Sequence, residues 1–209
     1  MPERRCVLVI GTCDTKSDEL RFVRECLERA GGAALVMDVG VLGAPTITPD
    51  VNHTEVAAAA GSTLFEIAAY GDENPAMAKM AEGAARLSRR LYDEGRIQGV
   101  LILGGTMGTD LALDVAAALP LGVPKFVVST VAFSHLIPPE RIAPDLMMIL
   151  WSGGLYGLNT ICNAVLSQAA GAVLGACRSS AAPRFTRPLV GITSLGKSCL
   201  KYMVHLKPA

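Results

Sequence analysis

Short apolar runs closed by glycine recur along the chain, and amphipathic stretches lie between them. Residues 5–10 (Arg5-Cys-Val-Leu-Val-Ile10) end at Gly11 and read as a strand buried on both faces. Leu20, Val23 and Leu27 then share one face of a helix over 16–30, stopped by Gly31-Gly32. A second strand over 33–39 completes a β-α-β unit, whose crossover is right-handed. Residues 40–61 carry Pro45, Pro49 and several threonines, and read as a long loop that covers a site. Helices over 62–70 and 75–94 follow, the second ended by Gly95. The pattern continues with a strand over 98–103, a helix over 109–118 and strands over 125–129 and 145–150. A long helix over 157–177 comes next.

This alternation predicts an α/β fold, a Rossmann-like parallel sheet with helices on both faces. A strand, a glycine-threonine loop and a helix occur at 6–30 and again at 98–118, which fits either two lobes or two halves of one open sheet. Residues 178–187 are polar and contain Pro183, as a linker would, and 189–193 begins a further strand. The chain stops eleven residues after Ser198. The expected organisation is a Rossmann-like nucleotide-binding domain over 1–187. Residues 188–209 are then a linker and the start of a truncated C-terminal domain.

Composition narrows the classes. The 209 residues are 51% hydrophobic and only 5% aromatic, so the core must be built from aliphatic side chains. Lysine plus arginine equals aspartate plus glutamate, and no basic stripe stands out, so no nucleic-acid partner is expected. The six cysteines show no C-x-x-C or zinc spacing, and no metal site is expected from the protein's own ligands. They read as reduced thiols of a cytoplasmic protein. No apolar run reaches the roughly 20 residues of a membrane helix. The stretch 161–177 comes closest and reads as a buried helix, so no membrane partner is expected.

Three loops after strands are candidates for chemistry. The first is Gly11-Thr12-Cys13-Asp14-Thr15-Lys16. It precedes a helix, whose N-terminus offers free N–H groups to phosphate. Thr12 and Thr15 add hydroxyls, Lys16 neutralises a phosphate, and Asp14 holds a ribose hydroxyl or a metal-bound water. The alternative is capping, with Thr15-x-x-Asp18 as a capping box. The second loop, Gly104-Gly105-Thr106-Met107-Gly108-Thr109, has three glycines that let backbone approach a ligand and leave N–H groups for an anion nest. The third, Ser129-Thr130-Val131-Ala132, offers hydroxyls and backbone, or caps its own turn. Asp38 ends the second strand, where dinucleotide folds place a ribose-binding acid, although the first loop is not G-x-G-x-x-G.

Residues Gly191 to Ser198 fit G-x-x-x-x-G-K-[ST], but only two apolar residues precede them, and a P-loop is not expected. His53, His135 and His205 show no ligand spacing. No nucleophile or general base stands out.

The run 10–16 with Glu19-Leu20-Arg21-Phe22, the run 103–109, Pro124-Lys125 and Ser129-Thr-Val-Ala132 together resemble one family. It is the Tm-one-like ATP-binding family, that of the tomato mosaic virus resistance protein and its bacterial relatives. The resemblance covers nearly the whole chain. It implies a Rossmann-like domain that binds ATP, alone or with Mg, followed by a larger C-terminal domain, and it implies a homodimer. It maps nucleotide contacts onto Asp14, Thr15 and Lys16, onto Gly105, Thr106 and Gly108, and onto Thr130 and Val131. Met107 and Val41 stand at contact positions where the plant protein has glycine and threonine.

Three functions follow as expectations. The first is an ATP-binding domain with a regulatory or assembly role in a larger protein. The second is the substrate- or ATP-binding half of an enzyme whose catalytic groups lie partly in the C-terminal domain. The third is a protein-interaction module with vestigial ligand loops.

Overall fold

The computed structural model describes residues 4–180 together with 183, 186–188, 197 and 200–206. Five parallel strands form one sheet: β1 (Cys6–Gly11), β2 (Ala33–Asp38), β3 (Gly99–Gly104), β4 (Lys125–Ser129) and β5 (Leu146–Leu150). Their order is β2-β1-β3-β4-β5. The helices are α1 (Ser17–Arg29), α2 (His53–Ala59), α3 (Leu64–Ala68), α4 (Glu73–Asp93), α5 (Thr106–Ala118), α6 (Thr160–Ser179) and α7 (Leu200–Leu206).

Alternation along the strands divides the core. Leu8 and Ile10 of β1 face one layer, with Met80 and Leu87 of α4 and Leu111 and Val115 of α5. Val7 and Val9 face the other, with Leu20 and Leu27 of α1 and Leu166 and Val173 of α6. The described strands thus form a single doubly wound sheet rather than two lobes. The repeated strand-loop-helix plan belongs to its two halves.

The elements depart most from the sequence reading in two places. The segment 40–61 contains α2, closed at its N-terminus by a capping box between Asn52 and Glu55. Helix α5 starts at Thr106, so the residues read as a glycine loop form its first turn. The turn into the helix is close-packed: a Cβ on Gly104 would lie 2.5 Å from the backbone of Gly108 and Thr109. Helix α6 has the length and apolar composition of a membrane span. Its inner face nevertheless buries seven residues, from Cys162 to Cys177, against the sheet and α1. The expected strand at 189–193 and all of the P-loop-like segment 191–198 except residue 197 lie outside the described residues, while α6 runs into the expected linker as far as Ser179.

Candidate functional site

From β1 the chain runs outward to β2, then returns across β1 to β3. In open α/β sheets the crevice beyond the strand ends at this reversal is where ligands bind. A cavity of about 690 Å3 occupies that place. Its walls are the loop after β1, the loop after β2, the first turn of α5, the N-terminus of α4 and the tip of the segment after β5.

The loop after β1 turns tightly, with the N–H groups of Thr15 and Lys16 both donating to the Thr12 carbonyl. The Thr12 and Thr15 hydroxyls lie 2.5 Å apart. The Lys16 ammonium curls back to donate to both, at 3.2 and 3.3 Å. Burial lowers the Lys16 pKa, and the charges of Glu19 and Asp14 oppose that shift. Lys16 is itself the cap residue of α1, and no side chain caps that helix. The alternative, a Thr15–Asp18 capping box, is therefore not formed: both threonine hydroxyls accept from the lysine instead, and no side chain caps the α1 N-terminus.

Asp14 also lines the cavity. Its Oδ2 accepts from the Gly43 N–H at 3.1 Å, while Oδ1 is buried with no partner. An unpaired carboxylate oxygen is costly unless something satisfies it. Among the described residues that line the cavity it is the one buried side-chain polar atom without a partner. Val41 and Leu42 continue the same wall from the loop after β2.

The opposite wall is the start of α5. Gly105 caps the helix without a side chain, and its carbonyl takes the first intrahelical bond, from Thr109 N–H at 2.8 Å. The N–H groups of Thr106, Met107 and Gly108 precede that bond and have no acceptor within the helix. All four residues line the cavity. A Cβ on Gly105 would meet nothing within 4 Å, so packing does not demand glycine there.

The remaining expected residues lie elsewhere. Asp38 is 1% exposed and lies outside the cavity lining. Its Oδ1 accepts from the N–H groups of Cys13 and Gly40, both at 2.9 Å, which ties the loops after β1 and β2 together. His53 Nδ1 stands 3.5 Å from the other carboxylate oxygen. Ser129 is buried and bonded to the Thr109 hydroxyl at 2.7 Å, and it accepts from Val131 N–H. Thr130 donates its N–H to the Gly104 carbonyl. Val131 lines a smaller cavity of about 290 Å3 on the far side of Met107. The third loop thus braces the start of α5 and stands behind the main cavity rather than in it. His135 is exposed and lines neither cavity.

The sequence reading missed Leu155 and Tyr156 from the segment after β5, and Asp72 and Glu73 at the start of α4. Asp72, a helix cap before a long amphipathic run, carried a legible local signal. Tyr156 carried none, because it reaches the site only through the chain's return from the sheet edge. Among the described residues no group of three or more His, Cys, Asp or Glu side chains forms a metal cluster.

Comparison with known proteins settles the family. The profile described as Uncharacterised protein family (UPF0261) N-terminal domain matches residues 5–182. The chain belongs to this family. A UPF0261 protein of Brucella suis is 61% identical over 202 residues, 97% of this chain and 48% of its own length. The ToMV resistance protein Tm-1 of Solanum lycopersicum is 29% identical over 91% of this chain and 28% of that protein, in agreement with the resemblance carried by the strand-end loops. The chain spans about half the length of the bacterial UPF0261 relatives it matches. A solved structure from Xanthomonas campestris, described as a putative hydrolase of the alpha/beta superfamily, covers 83% of this chain and is itself covered over 99%, at a TM-score of 0.42 and 14% identity.

Proposed function

We propose that this UPF0261 domain binds a nucleotide, ATP, by its phosphates, as a regulatory or assembly domain of a larger cytoplasmic, homodimeric protein. The observation that carries the reading is the pairing of two walls across one cavity: Lys16 with two hydroxyls on one side, and the uncapped first turn of α5 on the other. A helix N-terminus and a lysine are complementary to phosphate oxygens. A volume of about 690 Å3 lies in the range of small-molecule sites. The open space at Gly105 leaves room for a phosphate against the backbone. Asp14, which lines the cavity, would take a ribose hydroxyl or a water on magnesium, since Mg is commonly held by one or two carboxylates and the phosphates themselves.

A second reading has its own support. The chain spans 48% of the Brucella relative, so the site can be half of an active centre completed by the rest of the protein. Under that reading the full-length protein turns over a nucleotide or phosphorylated substrate and this domain alone does not.

The test is thermal denaturation of the 209-residue chain with ATP, ADP, AMP, NAD and inorganic phosphate, each with and without magnesium. A ligand at 100 times its dissociation constant adds about 2.7 kcal/mol of stability. The expected result is a rise in melting temperature with ATP that Lys16→Ala abolishes. A rise unchanged in Lys16→Ala would remove phosphate recognition from this loop, and no rise with any ligand would count against the reading. Mass measurement of the same samples checks the homodimer.

A further inference from the structure

The geometry points to Tyr156 as a stacking platform for the base of the bound nucleotide, and so as the residue that separates nucleotides from bare phosphates. This rests on the phosphate reading of the same cavity. The segment after β5 is pinned at three points. Trp151 Nε1 donates to the Gly154 carbonyl at 2.6 Å. Leu155 is buried in the layer that holds α1 and α6. Gly157 N–H donates to Glu19 Oε1 at 2.7 Å, and Glu19 is a carboxylate only 1% exposed. Gly154 and Gly157 take positive φ of 80° and 90°, a conformation that side-chain-bearing residues rarely adopt. Between these fixed points one large side chain is left free, and it is an aromatic one.

Tyr156 is 93% exposed and yet lines the cavity. Leu42, from the loop after β2, is the other large apolar side chain of that lining that is mostly exposed. An apolar rim over a wall of lysine, hydroxyls and helix N–H groups matches a ligand with a flat apolar end and an anionic end. A surface tyrosine needs no such bracket. The buried Glu19 carboxylate has the Lys16 charge near it to offset its desolvation, and its bond to the Gly157 N–H fixes the loop beside Tyr156. Tyr156 supplies area without demanding a particular base, because every base has a π-face.

The experiment measures affinity of the 209-residue chain for ATP and for inorganic tripolyphosphate, in the natural protein and in Tyr156→Ala and Tyr156→Phe. An exposed side chain makes both variants fold-neutral, which their melting temperatures check. The expected result is that Tyr156→Ala weakens ATP by roughly 5- to 100-fold, the usual effect of losing one aromatic platform. Tripolyphosphate binding stays unchanged and Tyr156→Phe retains ATP. Unchanged ATP binding in Tyr156→Ala, or an equal loss for both ligands, overturns the stacking role and leaves phosphate binding standing. Failure of the natural protein to bind either ligand overturns both.

Discussion

At the scale of single residues, two adjacent glycines at the end of β3 have opposite reasons to be glycine. Gly104 is forced by packing, since an added Cβ would press on the backbone of Gly108 and Thr109 at 2.5 Å. Gly104→Ala should therefore destabilise the fold by about 1–3 kcal/mol, as overpacking of rigid neighbours does. Gly105 has open space. Gly105→Ala should leave the urea midpoint almost unchanged and reduce phosphate affinity, because the methyl would fill the space in front of the helix N–H groups. Unfolding curves and titrations of the two variants separate the roles, and equal unfolding costs would refute the assignment. Lys16 gives a pH signature. Burial lowers its pKa from the ordinary 10.5, with Glu19 and Asp14 opposing. Its charge, and the attraction for an anion, is present below that lowered value and is lost as pH rises through it. Phosphate affinity should thus fall at a pH below the ordinary lysine range. Lys16→Arg, which stays charged, should flatten that fall in a titration from neutral to alkaline pH.

At the scale of elements, the strands were legible because both faces of a parallel strand are buried, which leaves apolar runs such as Val7 to Ile10 bounded by glycine. Helix α2 was not. It has seven residues, three of them alanine, and two turns are too few to show a period of 3.6. Its place is set by tertiary contact instead: a Cβ on Gly83 of α4 would lie 2.0 Å from the Val56 carbonyl oxygen of α2. Gly83→Ala should push the two helices apart and cost about 1–3 kcal/mol, and hydrogen exchange should show α2 opening before the sheet. Uniform loss of protection across the chain would contradict this. The site was legible in the same uneven way. Lys16 and Gly105–Gly108 sit beside strands whose ends announce them. Asp38 looked like a ligand residue because strand position was all the sequence offered, and its bonds to Cys13 and Gly40 are contacts that spacing does not reveal. Tyr156 needed the turn of the chain back from β5 to α1.

At the scale of the whole molecule, a parallel sheet separates its two edges. The candidate site lies beyond the C-terminal ends of the strands, and the opposite edge carries an ion pair between a buried lysine and a half-buried aspartate. Lys125, the first residue of β4 and 1% exposed, donates to Asp145 Oδ2 at 2.6 Å and to the Pro120 carbonyl at 2.8 Å. Gly122 N–H donates to the same carboxylate oxygen. Burial by itself would raise the Asp145 pKa, but the hydrogen bonds from Lys125 and Gly122 and the lysine charge hold it below the ordinary 3.8. A carboxyl depressed in the folded state contributes stability that is fully present above its unfolded value and is lost as pH falls through the folded one. Asp145→Asn leaves the Lys125 cation buried without its carboxylate, and should destabilise the fold at pH 7 by about 2–4 kcal/mol, since the Pro120 carbonyl remains. The gap between the natural protein and Asp145→Asn should narrow in urea unfolding at pH 3, below the ordinary 3.8, where the carboxyl of the unfolded chain takes up a proton more readily than the folded one. A gap of equal size at pH 7 and pH 3 would show that the charge is not what holds this edge. The same variant, tested while folded, should bind phosphate ligands as the natural protein does, because the pair sits at the far end of the sheet from Lys16 and the start of α5.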